Sequence, residues 1–195
     1  TSGAHVKVAD MAKITTAAPL GKVGTWLIDP NDYTIAATGG DITGATLSTH
    51  LGNTSVTLQS SGGGSAGSGN VNVNDAISWS ANTTLTLTAS NDVKINANIT
   101  ATGNAAGLVI NPNTANGGQA ASGTGTYKLS NGAVVTLSGA NPSLSIAGQS
   151  YTVINSLNAL QAINNNLAGY YALGSSIDAS ATSVWNGGAG FMPLG

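Results

Sequence analysis

At 195 residues and 19.0 kDa the chain has room for one elongated domain. Charge is confined to 6% of residues, all Lys and Asp with no Arg or Glu, for a net charge of −2; this leaves no basic patch for nucleic acid, and 5% aromatics are too few for a base-stacking platform. No apolar run approaches the ~18–20 residues of a membrane span. The absence of cysteine fits an exported chain, and an opening at Thr1 without methionine fits a processed or excised piece of something longer.

In chain order, His5-Val6-Lys7-Val8 alternates as a strand, with His5 and Lys7 turned to solvent. Asp10 and Met11 turn the chain toward a second apolar stretch at Ile14. Trp26 and Ile28 then share one strand face, and Tyr33 and Ile35 another. Between them Asp29-Pro30-Asn31-Asp32 is a turn, since Pro30 fixes φ and Asp29 and Asn31 can bond their own backbone. Clustered oxygens at Asp29, Asn31 and Asp32 also suit calcium, but their spacing matches no EF-hand loop, and the turn is preferred. Over residues 41–53 the period becomes helical: Ile42, Leu47 and Leu51 form a face, Thr43 caps the start and Gly52 the end, with His50 off that face and exposed. Val56 and Leu58 resume a strand, and residues 60–69, SSGGGSAGSG, form a flexible loop. Asn70-Val71 stands where a phosphate-binding loop would need Lys followed by Ser or Thr.

Residues 70–111 carry one pattern written twice. Val71 recurs as Val93, Val73 as Ile95 and Ile77 as Ile99, at an offset of 22; after one extra residue near Gly107, Leu85 recurs as Leu108 and Leu87 as Ile110. Alternating apolar pairs at this period describe three short strands per turn of a β-helix, in which each turn buries its apolar face only by stacking on the next. Asn74 above Asn96, and Asn82 above Asn104, are expected to form amide ladders at the corners. Trp79 shares a face with Ile77, and Trp26 with Ile28, so both are read as core filling in preference to a sugar-stacking platform; Trp185 is left open between the two.

Residues 112–125 form a second loop. Strands return at Tyr127/Leu129, Val135/Leu137, Leu144/Ile146 and Tyr151/Val153, with Asn131-Gly132 a tight-turn signal. Ser156 caps a helix whose stripe is Leu157, Leu160, Ile163 and Leu167, ended by Gly169. Strands around residues 171–173 and at Ile177 precede a Gly-rich turn. Neither end of the chain shows an amphipathic cap, which predicts end-to-end self-association into a fibre.

Catalysis is poorly supported. There is no Glu and no Cys, Asp75 and Asp92 fall in turns, and Asp75 aligns with Ala97, so no carboxylate ladder forms. No catalytic, cofactor-binding or metal-ligating residue is assigned, and no cofactor is expected.

The stretches GTWLIDPNDYTIA, DITGATLSTHLGNTSVTLQ, VNVNDAISWSANTTLTL and DVKINANITATG together resemble the body of filamentous-haemagglutinin-type bacterial exoproteins. The tail, INSLNALQAINNNLAGYYALGSSIDASATSVWNGGAGFMPLG, resembles the opening of a GLUG-type repeat from the same class of surface protein. The resemblance implies an all-β, right-handed parallel β-helix with one or two short helices on its flank. Residues 1–154 would form the rod, and residues 155–195 a short helix plus a GLUG-like β segment. It further implies two-partner secretion through an outer-membrane transporter and a role at the cell surface or in biofilm. The function expected is a secreted structural or adhesive module, with host-cell or glycan receptors met by loops. The alternative is a carbohydrate- or ice-binding module using an outward Thr/Asn face at Thr84, Thr86 and Thr88, an array that Ala106, Val109 and Asn111 do not continue.

Overall fold

The computed structural model describes residues 6–10, 12–16, 18, 20–21, 24–60, 67–115, 121–130 and 132–195. In chain order the strands and helices are β1 (Thr25–Ile28), β2 (Tyr33–Ile35), α1 (Gly44–Leu51), β3 (Ser55–Ser60), β4 (Val71–Val73), β5 (Ile77–Trp79), β6 (Thr84–Ala89), β7 (Val93–Ile95), β8 (Ile99–Ala101), β9 (Gly107–Asn111), β10 (Tyr127–Leu129), β11 (Val135–Leu137), β12 (Ser143–Ile146), β13 (Gln149–Ile154), α2 (Leu157–Gln161) and β14 (Tyr171–Leu173). Two 3-10 segments, Ala162–Asn165 and Ser180–Gly188, complete the list. His5, Met11, Asn131 and residues 61–66 and 116–120 of the two predicted loops lie outside the described residues.

The all-β, right-handed parallel β-helix expected above is corrected: the fold is mixed α/β, with its strands divided among three sheets. One has seven strands in the order β1-β3-β6-β9-β12-β13-β14, one has four (β10-β7-β4-β2) and one three (β11-β8-β5). The largest is not purely parallel, because β12 and β13 pair antiparallel across the Ala147-Gly148 turn, where both residues have positive φ. The repeat over 70–111 specifies the neighbours and register of its own strands and nothing about the rest of the chain. Beyond it, a change of period makes α1 and a reversing turn makes the hairpin.

Within the repeat the register is that of the 22- and 23-residue offsets. Val71 pairs with Val93, Val73 with Ile95, Ile77 with Ile99, Leu85 with Leu108 and Leu87 with Ile110, all in parallel. Trp79 stands beside Ala101, is buried, and donates from Nε1 to the Thr83 carbonyl at 3.1 Å. The small neighbour leaves room for the indole, and the hydrogen bond satisfies its polar atom. These side chains form one continuous apolar core with Ile28, Tyr33, Ile35, Leu47 and Leu51. Each fully buried aliphatic side chain contributes about 1.5–3 kcal/mol, so this stack dominates the stability of the fold.

Helix α1 is part of that core. Thr43 is extended and its hydroxyl accepts from Thr46 N–H, while Asp75 Oδ2 accepts from Gly44 N–H at 2.8 Å. A Cβ at Gly44 would overlap the Ala76 carbonyl, so a glycine allows the helix to seat. Leu47 and Leu51 face inward as predicted, but His50 is buried and not exposed. Its ring lies edge-on to Trp26 at 4.9 Å, with Nδ1 3.3 Å from the Ile14 carbonyl. The turn from the helical face to its margin is covered by the segment preceding β1, which a helical-wheel argument does not include.

The two ends of the stacked sheets differ. At one end α1 lies against β5, and Ser78 N–H donates to Ser48 Oγ at 2.9 Å. The strand edge at β2 meets the segment 36–42, where Ala36 N–H donates to the Ile42 carbonyl. At the other end β10 is an edge strand with all three residues exposed, among them Tyr127 and Leu129. Between β10 and β14 opens an apolar mouth of about 160 Å³, lined among others by Ile95, Leu129, Leu144, Ile146 and Leu173.

Candidate functional site: an amide-lined groove at Trp185

After Ile154 no described side chain is buried. The predicted helix stripe is therefore corrected. α2 runs only from Leu157 to Gln161, continues as the 3-10 segment, and Leu167 is exposed beyond it. Ser156 caps it as expected, its hydroxyl accepting from Ala159 N–H. Asn158, Gln161, Ala162 and Asn165 follow at helical spacing and share a face.

That face meets the C-terminal segment through its own amides. Gln161 holds Met192 at both backbone groups, with Nε2 donating to its carbonyl at 3.0 Å and Oε1 accepting from its N–H at 2.9 Å. Asn164 does the same with the Pro193 carbonyl and Gly195 N–H, each at 3.2 Å. The chain is brought round by Asn186, Gly187 and Gly188, all at positive φ, with Asn186 Nδ2 donating to the Gly190 carbonyl at 2.7 Å. Trp185 stacks on Phe191, with ring centroids 6.4 Å apart and planes 23° from parallel. Between these parts lies a groove of about 510 Å³ lined by Asn158, Asn165, Trp185 and Asn186 with the two clasping amides. Its volume falls within the ~300–1,000 Å³ of small-molecule sites. Every lining residue is uncharged, and beyond Lys128 the only ionisable side chains are tyrosines and Asp178.

The other residues singled out in the sequence serve the fold, although Asp29 Oδ1 is buried without a hydrogen-bond partner among the described residues. Asp32 Oδ1 accepts from the backbone N–H of Ser68 and Asn70 at 3.0 and 2.8 Å, closing the turn onto the next segment. Asn31 is buried, and among the described residues no group of three or more His, Cys, Asp or Glu is placed to hold a metal. Asp75 holds the start of α1. Asp92, expected in a turn, is buried and takes Lys128 Nζ at 2.5 Å, Thr126 N–H at 3.0 Å and, more loosely, Lys94 Nζ at 3.9 Å. Burial pushes its pKa up, but the bonds from Lys128 and Thr126 and the charges of both lysines outweigh this and hold the carboxyl below its ordinary value. Burial, with Asp41 adding, pushes the Tyr33 hydroxyl well above its ordinary value, so it stays protonated.

One corner ladder forms, with Asn96 Nδ2 donating to Asn74 Oδ1 at 2.7 Å. The Asn82–Asn104 pair does not, because Asn82 Oδ1 accepts from Ala105 N–H instead. On the proposed flat face Thr84 and Thr86 are half-buried and Thr88 is buried, and Thr86 is flanked by Thr57 and Val109.

Against known proteins the result is brief. No protein family matches the chain, and neither does any curated protein or solved structure. The groove must be interpreted from its own chemistry. Sequence reasoning reached Trp185 without assigning it; the helical spacing of Asn158, Gln161 and Asn165 was the available signal for the rest.

Proposed function

We propose that this chain is a secreted, non-catalytic structural and adhesive module of a large bacterial surface protein, serving attachment or biofilm. The observation that supports this best is the division of the chain into two parts. A core of stacked sheets holds the buried side chains, and residues 155–195 are laid out as surface around a groove. The resemblance of the repeat and tail to haemagglutinin-type exoproteins supports the same reading, with an outer-membrane transporter as its export partner. Attachment of beads coated with the chain to epithelial monolayers and to preformed biofilm tests it. Retention well above that of albumin-coated beads is the expected result, and equal retention on every surface would overturn the reading.

Self-association belongs to the same proposal, located at the apolar mouth. Because α1 covers the opposite end, we propose a mouth-to-mouth dimer in place of the end-to-end fibre expected from the sequence, a second copy adding strands at the β10 and β14 edges. Sedimentation should show a dimer that Leu129→Lys weakens. A strictly monomeric chain at millimolar concentration would remove this part.

A further inference from the structure

The groove at Trp185 carries a more specific assignment. We propose that it binds a neutral oligosaccharide, seated with a pyranose C–H face on the indole and its hydroxyls on the free amides. This rests on the attachment reading and names the ligand class for it.

Gln161 and Asn164 spend both of their amide poles on the backbone of residues 192–195, so they shape the groove and leave recognition to others. Asn158 and Asn165 are exposed, line the groove and make no side-chain hydrogen bond among the described residues; Asn186 commits its Nδ2 and keeps Oδ1. An amide side chain offers an acceptor and two donors on one planar group. Adjacent hydroxyls of a sugar, each both donor and acceptor, can be held by such a group, whereas an anion would find acceptors with no cation. The nearest lysine in sequence, Lys128, is engaged with Asp92. Phe191 lies against the indole of Trp185 and holds it in place, so little ordering is left for a ligand to impose. An aromatic platform beside neutral amides, with no titratable group in the lining, suits an uncharged polyhydroxylated ligand better than a peptide or a nucleotide.

Tryptophan fluorescence provides the test, because Trp26 and Trp79 are buried and Trp185 lines the groove. The intact chain is titrated with cellotetraose, chitotetraose and β-1,4-galactotetraose, and with tetragalacturonate as the charged counterpart. At least one neutral oligosaccharide should give a saturable shift with a Kd between micromolar and about 1 mM. Asn158→Ala and Asn165→Ala should each weaken that binding by about tenfold, as should Trp185→Ala read by calorimetry. Their melting curves should match that of the parent, since neither asparagine is buried. Raising ionic strength to about 0.5 M should leave the affinity unchanged, because no charge is paired. The proposal is overturned if no neutral oligosaccharide saturates up to about 10 mM, if the asparagine variants bind like the parent, or if tetragalacturonate binds as tightly. Bead attachment that persists alongside any of these results would remove the groove assignment alone and leave the attachment reading standing.

Discussion

Residues 71–111 and residues 155–195 are built on opposite terms. In the first, short alternating strands each have a parallel neighbour, and Val71, Val73, Leu85, Leu87, Val93, Ile99 and Leu108 are fully buried. In the second, the short edge strand β14 joins the large sheet, and the helices and turns around it are held by amide-to-backbone hydrogen bonds, with no side chain buried. The first gains its stability from area removed from water. The second is shaped by directional bonds that water can compete for, so it contributes a surface and little to global stability.

The sharpest way to break this contrast is a charge in the stack. Leu87→Asp should cost ~4 kcal/mol or more and abolish cooperative melting, whereas Val184→Asp, at a position 77% exposed, should melt like the parent. Equal behaviour in circular dichroism would show that the two regions are not different in kind.

A smaller effect is expected where α1 joins the stack. Gly44→Ala drives a methyl into the Ala76 carbonyl and should cost about 1–3 kcal/mol in chemical denaturation. A neutral result would mean that the helix is not seated on the β5 side.

Asp92→Asn should cost a similar or smaller amount, about 1–2 kcal/mol, because the amide can still accept from Thr126 N–H but no longer pairs with Lys128. It should also change the pH profile. The folded carboxyl is held below its ordinary value, so the stability it contributes is present above the ordinary range near 3.8 and is lost as pH falls through the folded value. The acid limb of a melting-temperature profile should therefore flatten in the variant; an unchanged limb would place the acid sensitivity elsewhere.

The smallest effect belongs to the tail. Leu160→Ala, on a half-buried face of α2, should change stability by less than about 1 kcal/mol. A loss comparable to a core truncation would mean that residues 155–195 share the core's stability after all.

Legibility in the sequence follows the same division. Strand pairing over 70–111 could be read to the residue, since an alternating pattern recurring at a fixed offset leaves one register that buries both copies. Helix α1 was legible from Thr43, Leu47, Leu51 and Gly52. His50 was misread because the chain that covers it comes from Ile14, outside any local window. The single β-helix failed for a related reason: local periodicity does not reveal that β13 reverses direction. The stripe at Leu157, Leu160, Ile163 and Leu167 was real as a spacing, but its first three residues are only half-buried and Leu167 is exposed, because burial also requires a partner surface that local spacing does not supply. The groove was hidden because its walls lie about thirty residues apart and are joined by Gln161 and Asn164, whose partners are backbone groups with no signature in sequence.

The parallel pairings also set an order of assembly. Val71 and Val93 are 22 residues apart, whereas Tyr33 lies 38 before Val71 and Tyr127 lies 34 after Val93. Loop closure becomes slower and entropically costlier with separation, so the shortest closures form first. The β12–β13 hairpin, with partners 3–7 residues apart, and the parallel β13–β14 pair at 19 close sooner still but bury little. Within the buried stack the pair of copies at 71–111 closes first, and the pairings with β2 and β10 follow. A chain that folds in this way can start while only its middle is present, and an error at either end leaves that pair intact. Each paired strand presents the template for the next, so β10 and β2, the two edges of the four-stranded sheet, are its late-forming strands.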